Sequence, residues 1–349
     1  MELGNVWIIH PLFDDRWPEF VDQHANSSVF HTTGWLTALR TTYGYEPIAL
    51  TTSPPSEKLT NAILFCVVRS WLTRDRLVSL PFTDHCEPLV QNIEQLQTLY
   101  AHLERLRKVQ RGTYAEIRTS EAILGIEKMF QEYKVYLWHR LDLRPSLDIL
   151  YEGFHKSCIR GRIRHAERQG LTYYEGRSES LIRSFYELVV LTRSRKHLPT
   201  QPFEWFQRLV TSMGKDICIR MAFKRDQAVA GILTMNHGRT VYYKYGGSDA
   251  CFHHLGATPM LFWQAIQAAK LAGMEALDFG RSDVEDQGLI MFKERWGAQS
   301  VRLTLWRSPV DKLSLSFERM KTRLAKTVCS YVPYKMLVLA GRLMYRHIG

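Results

Sequence analysis

The chain has 349 residues, of which 45% are hydrophobic and 12% aromatic, enough to bury the cores of two ordinary domains and to exclude intrinsic disorder. Its formal charge is +11, unevenly spread: residues 311–349 hold eight basic and two acidic side chains, which points to a local surface with an anionic partner. Six cysteines without CxxC pairing or metal-ligand spacing read as reduced thiols, and neither a secretory leader nor an apolar run of about 18 residues is present, so the expected location is cytoplasmic.

The first half reads as mixed α/β. Val6–His10, Pro47–Thr51, Ala62–Arg69, Leu77–Leu80 and Tyr114–Arg118 have the apolar runs of strands, while Thr33–Tyr43 and Gln91–Arg111 have helical spacing. Leu80-Pro-Phe-Thr-Asp-His-Cys-Glu-Pro88 is a polar loop bounded by prolines. Pro145 supplies a break, so a first lobe is expected over 1–142.

A long helix is predicted over Ser146–Gln169, with Ser146 as cap, Asp148 in the first turn and Gly170 just beyond the end. Glu179–Leu191 and Pro202–Ser212 read as two further helices. Ile217–Phe223, Val229–Met235 and Thr240–Tyr245 are alternating runs joined by short polar turns, an antiparallel meander. A helix over 257–272 and a strand at Ala276–Phe279 follow, giving a second lobe over 146–309. Leu313, Phe317, Met320, Leu324, Val328 and Tyr331 recur at i+3/i+4 opposite Arg319, Arg323 and Lys326. Residues 310–349 are therefore expected to form basic amphipathic helices, suited either to peripheral contact with an anionic membrane or to docking on the chain's own domain.

Four ordered segments carry a family resemblance: Ile159-Arg-Gly-Arg-Ile-Arg-His-Ala-Glu-Arg-Gln-Gly-Leu171, His254-Leu-Gly-Ala-Thr-Pro259, Leu277-Asp-Phe-Gly-Arg-Ser282 and Gly288-Leu-Ile-Met-Phe-Lys-Glu-Arg-Trp-Gly297. With the Leu80–Pro88 loop they make the chain similar to the FemAB-type and BioF2-like acetyltransferases of the GNAT superfamily. The resemblance implies an α/β (α+β) fold of tandem GNAT-like lobes, each a mixed, mostly antiparallel sheet flanked by helices. In that core the fourth strand splays from the fifth, and the next loop and helix N-terminus offer backbone N–H groups to a phosphate or acyl carbonyl. It further implies transfer of an acyl or aminoacyl group to an amine of a cell-envelope or polysaccharide precursor. Acyl-CoA or aminoacyl-tRNA would be the donor, and no cofactor would be bound permanently. The acceptor would be an anionic small molecule or lipid-linked, placing the protein at the inner face of the membrane. CoA-dependent GNAT enzymes carry Gln/Arg-x-x-Gly-x-Gly/Ala before the pyrophosphate helix. Here the frame is His253-His-Leu-Gly256-Ala-Thr258, a departure that weakens the CoA reading.

Direct attack by an amine needs a positioned carbonyl and donors aimed at the oxyanion, with no Ser or Cys nucleophile. Arg160, Arg164 and Arg168 recur every four residues with Lys156, flanked by Arg162; such a stripe grips phosphates or simply stays solvated. Lys293 falls where, by the resemblance, GNAT-like folds place a last β-hairpin beside the cleft. Facing outward there, it stabilises the oxyanion or binds a donor phosphate, or else it and Arg295 merely alternate outward as surface charges from a buried Phe292 and Trp296. Asp278, Arg281, Ser282 and Asp283 cluster at a strand end. There Asp278 or Asp283 takes the ammonium proton while Arg281 and Ser282 meet the acceptor, or an Arg–Asp pair merely holds structure. Tyr243 and Tyr245 share one face by strand alternation and line the acceptor tunnel or pack in the core. His254, Gly256, Ala257 and Thr258 form the donor-phosphate turn, and no residue set has metal-ligand spacing. Two other readings stay open: an ordinary acetyl-CoA-dependent small-molecule N-acetyltransferase, and a nonenzymatic RNA- or membrane-binding module.

Overall fold

The computed structural model describes residues 6–71, 75–110, 113–120, 125–309, 341 and 344–347. The basic helices expected over 310–349 lie almost wholly outside the described residues. Two compact units are present among the described residues: those up to 136 with 302–309 and 344–347, and residues 137–301 with 341. Among the described residues no helix is long and apolar enough to cross a membrane, and the five described cysteines are free thiols.

The first unit runs β1 (Trp7–Ile9), α1 (Arg16–Gln23), α2 (Thr33–Tyr43), β2 (Glu46–Thr51), β3 (Ile63–Val68), β4 (Arg76–Val78), α3 (Ile93–Val109) and β5 (Ala115–Thr119). Three antiparallel pairings join β1 to β4, and β4 then pairs in parallel with β5. Helix α3 shows why the element forms. Asn92 caps it by accepting from the Gln95 N–H, and Leu96, Leu99, Tyr100 and Leu103 make one buried stripe against the sheet. The outer partner of β5 comes from far along the chain: β12 (Gln299–Ser308) pairs antiparallel with it from Thr304↔Thr119 to Ser308↔Ala115. Residues 302–308, grouped by sequence with the second lobe, thus complete the first unit. The open edge of β5 needs a strand, and the local pattern says nothing of where it comes from.

Strand β6 (Gln131–Asp142) begins in the first unit and continues from Leu137 in the second. There follow α4 (Leu147–Gly153), α5 (Gly161–Arg168), β7 (Thr172–Gly176), α6 (Glu179–Arg195), α7 (Phe203–Met213), β8 (Ile217–Lys224), β9 (Gln227–His237), β10 (Thr240–Ser248), α8 (Ala257–Leu271), β11 (Ala276–Asp283) and α9 (Gln287–Glu294). The sheet order in this unit is β6-β11-β10-β9-β8-β7. The same series of strand, two helices, three strands, helix and strand occurs at 7–119 and at 172–283. In both it ends in a parallel pair, β4 with β5 and β10 with β11.

The single helix expected over Ser146–Gln169 is broken. Phe154 is extended and buried, its ring 4.9 Å from Trp296 and 5.7 Å from Trp263, and this burial draws the chain out of helix. His155 then starts a π turn over Lys156–Arg160, its Nδ1 accepting from the Cys158 N–H, and α5 follows. The segment around Lys293 is likewise a helix, α9, and not a hairpin strand.

Candidate functional site

The parallel ladder of β10 and β11 has three rungs, Thr240↔Ala276, Val241↔Leu277 and Tyr242↔Asp278, and then stops although both strands go on. Two irregularities mark the parting. In β10 the register slips between Tyr243↔Thr234 and Tyr245↔Leu233, leaving Lys244 as a bulge; in β11, Gly280 adopts φ 69°. The bulge corrects the expectation that Tyr243 and Tyr245 share a face. Tyr243 packs on Phe262 of α8 at 4.7 Å, whereas Tyr245 packs on Phe206 of α7 at 5.1 Å and accepts from Trp205 Nε1. Burial pushes the Tyr243 phenol up to about 12, against the nearby Arg193 guanidinium.

Helix α8 starts from the end at which the strands part. Its cap residue, Gly256, has φ 77° and offers no side chain, so the N–H groups of Ala257 and Thr258 are uncapped. A Cβ at Gly256 would lie 2.5 Å from the Arg162 carbonyl oxygen, so only glycine lets α5 close on this turn. Cations flank it on both sides. Arg162 Nη1 donates to the His254 carbonyl at 3.1 Å; Arg195 of α6 donates to the Ser248 carbonyl, whose own hydroxyl meets His253 Nε2 at 2.9 Å. Burial, and then Arg195, hold His253 below its ordinary pKa. The structure therefore brings Arg162, His254, Gly256, Ala257 and Thr258 together. His253, the first residue of the same frame, and Arg195 of α6 join them; Arg195 was missed because it lies far away in the chain and meets the turn only in the fold. Arg164 is exposed on α5, and Arg160 is half-buried with its Nε in no hydrogen bond.

At the end of β11 the arrangement differs from expectation. Lys293 is 2% exposed and does not point outward: its Nζ donates to the carbonyls of Gly280 at 2.8 Å and Arg281 at 3.1 Å. Asp278 is equally buried, accepting from Trp138 Nε1 at 2.8 Å and the Gly280 N–H at 2.6 Å. Both ionic groups thus hold the left-handed Gly280 turn. Ser282 is buried with its hydroxyl in no hydrogen bond, Arg281 is half-buried, and Asp283 is half-exposed, accepting from the Glu285 N–H. A shallow hollow of about 310 Å³ lined by Gly153, His155, Met291, Glu294 and Arg295 shares none of these residues. Among the described residues no group of three or more His, Cys, Asp or Glu could hold a metal ion.

His139 of β6, also missed, is fully buried with neither ring nitrogen in a well-formed hydrogen bond. Burial and then the Lys293 charge lower its pKa to about 4, against smaller opposing effects of the Leu137 carbonyl and Asp278. Because this lies below the ordinary 6.5, the unfolded chain binds more protons between the two values, and stability falls as the pH drops from 6.5 toward 4. Urea midpoints should show it: a His139→Leu variant is expected to lack about 2 kcal/mol of the parent's loss between about pH 7 and pH 5. Parallel acid limbs for parent and variant would remove His139 from this account.

Residues 154–288 match the model of the acetyltransferase (GNAT) domain family. Among solved structures the chain is similar to FemX, with 15% identity, 89% of this chain and 99% of that one covered, and a TM-score of 0.68. It is similar to L-PGS from Bacillus licheniformis at 15% identity, 88% and 95% coverage and a TM-score of 0.58. It also resembles a tandem GNAT protein from the clavulanic acid biosynthesis pathway at 10% identity, 88% and 100% coverage and a TM-score of 0.56. No curated protein matches the chain in sequence. The fold is thus the expected FemAB-like one, with GNAT-like lobes in tandem.

Proposed function

We propose, for a chain that carries a GNAT acetyltransferase domain over residues 154–288, an N-acyltransferase that moves an acyl or aminoacyl group to an amine of a cell-envelope or polysaccharide precursor by direct attack. The observation that carries this reading is the parting of β10 and β11 beyond Tyr242↔Asp278, at the end where α8 begins with uncapped N–H groups. A donor phosphate would rest on the N–H groups of Ala257 and Thr258 between Arg162 and Arg195, with the acyl carbonyl against the opened edge of β10. The amine's lone pair forms the new C–N bond, the donor's ester or thioester C–O or C–S bond breaks, and the proton lost by the amine leaves with the released alcohol or thiol. Backbone donors fixed before the reaction stabilise the oxyanion without reorganising. We assign the passing of the ammonium proton to Asp283, and contact with the acceptor to Arg281, Ser282 and Tyr243.

The departure of the His253–Thr258 frame from the CoA-binding pattern favours aminoacyl-tRNA as donor. The GNAT match favours acyl-CoA as the second reading. A cytoplasmic location, a lipid-linked acceptor and membrane contact through 311–349 belong to the same proposal. Thermal shifts with a panel of acyl-CoA molecules and with charged tRNA separate the donors, since a ligand of the folded state raises the melting temperature as its concentration rises. Arg162→Ala and Arg195→Ala are each expected to weaken binding of the stabilising donor and to reduce its salt slope by about one. Donor affinity unchanged in both variants, with the fold intact, would dismiss the α8 turn as the donor site.

A further inference from the structure

In the first unit the loops that enter β4 and β5 lie at one end of the sheet, because those strands run parallel. The Thr113 N–H donates across them to the Asp75 carbonyl at 2.7 Å. The antiparallel pairings put the exit of β1 at the same end. Three of this unit's most exposed apolar side chains lie at that end: Trp71, 86% exposed, between β3 and β4; Val109, 78%, closing α3; and Phe13, 68%, just after β1 at the sheet edge. A single exposed apolar residue is ordinary, but a group confined to one end of a unit marks an interaction surface.

The charges around Trp71 and Val109 decide the partner. Arg69, Arg105 and Lys108 are exposed there. So is Arg346, in the segment Met344–His347, whose His347 ring lies 5.6 Å from Trp71. The neighbouring carboxylates are engaged: Asp75 accepts from the Ser70 N–H and Glu104 from Arg107. An amphipathic indole at the same end of the unit as these exposed cationic side chains suits the boundary of an anionic bilayer, where the ring sits among headgroups and the cations meet phosphates.

We propose that this end of the first unit is a docking face for an anionic lipid surface, with Trp71 entering the headgroup region and Arg69 and Lys108 pairing with phosphates. The inference requires neither the acyl-transfer reading nor any part played by residues 311–340.

The test is flotation of the full chain with vesicles of phosphatidylglycerol mixed with phosphatidylcholine, and with phosphatidylcholine alone. Binding to the anionic vesicles is expected, weakening as salt rises, with little binding to the neutral ones. Trp71→Ala should lower the partition about tenfold and Trp71→Phe should keep most of it, while Arg69→Glu with Lys108→Glu should remove the salt-sensitive part. Leu271→Ser, at a side chain 89% exposed in the second unit, should change nothing. Circular dichroism and melting temperature check that these surface variants stay folded. Failure of the parent to float, equal flotation by Trp71→Ala, or loss of flotation only when Arg319, Arg323 and Lys326 are neutralised would each overturn the proposal.

Discussion

Replacing Glu116 by glutamine is expected to destabilise the protein by about 3–5 kcal/mol, because it leaves two guanidinium groups buried without their counter-charge. Arg118 donates to Glu116 Oε1 at 2.8 and 3.0 Å, and Arg307 donates to Oε2 at 2.8 Å. The Arg307 guanidinium also lies 4.0 Å from the Tyr114 ring centre and 3.4 Å from that of Tyr133. Arg118 reaches on to the carbonyls of Leu80 and Thr83, so the same cluster fixes the Leu80–Pro88 loop, in which Leu80 and Phe82 hold φ near 60°. Burial alone would raise the Glu116 pKa, but the two arginines overcome it and bring the carboxyl down to about 2. A depressed pKa stabilises above the unfolded value, 4.5, and that contribution drains away as the pH falls through about 2. The variant should therefore show a lower urea midpoint near neutral pH and a flatter acid limb below about pH 4. A loss under about 1 kcal/mol, the scale of an exposed pair, would show that the cluster is effectively solvated.

Lys293→Met is expected to lower both stability, by about 3 kcal/mol, and acyl transfer. The sequence reading, with the lysine facing outward, implies an intact fold and a purely kinetic loss. In the structure the ammonium satisfies the Gly280 and Arg281 carbonyls, and removing it strands those acceptors in the core and frees the turn that aims Arg281 and Ser282. A second readout separates this role from simple packing: without the Lys293 charge, the His139 pKa should rise from about 4, as followed by NMR of the imidazole. An unchanged melting temperature together with an unchanged His139 titration would overturn the reading.

The legibility of the sequence tracked how local each signal was. Thr33–Tyr43 is helix α2 to the residue, Ser146 caps as expected, and the three-stranded meander lies where alternation put it, since caps and periods act over a few residues. Strand β6 went unread because Gln131–Asp142 mixes charged and aromatic side chains with few buried on either face. Helix α1 was hidden by Pro18 in its first turn. Within the site, the donor turn could be read from its glycine and its family frame. The burial of Lys293 could not, because lysine is ordinarily exposed and its partners are carbonyls twelve and thirteen residues away. The opposite facing of Tyr243 and Tyr245 rests on one bulged residue, which alternation rules assume absent.

The pairing of β5 with residues Thr304–Ser308 bears on how the chain is made. Translation delivers Glu116 and the edge of β5 long before Arg307 and the strand that covers them. While most of the polypeptide is still being synthesised, the first unit on the ribosome has a bare sheet edge and a carboxylate short of one of its two cations. The first unit is thus completed only after the chain of the second unit has been made. Chaperones that hold strand edges have a long window in which to act, and a gene cut between the lobes should yield an N-terminal product that aggregates until a segment carrying residues 299–308 is supplied.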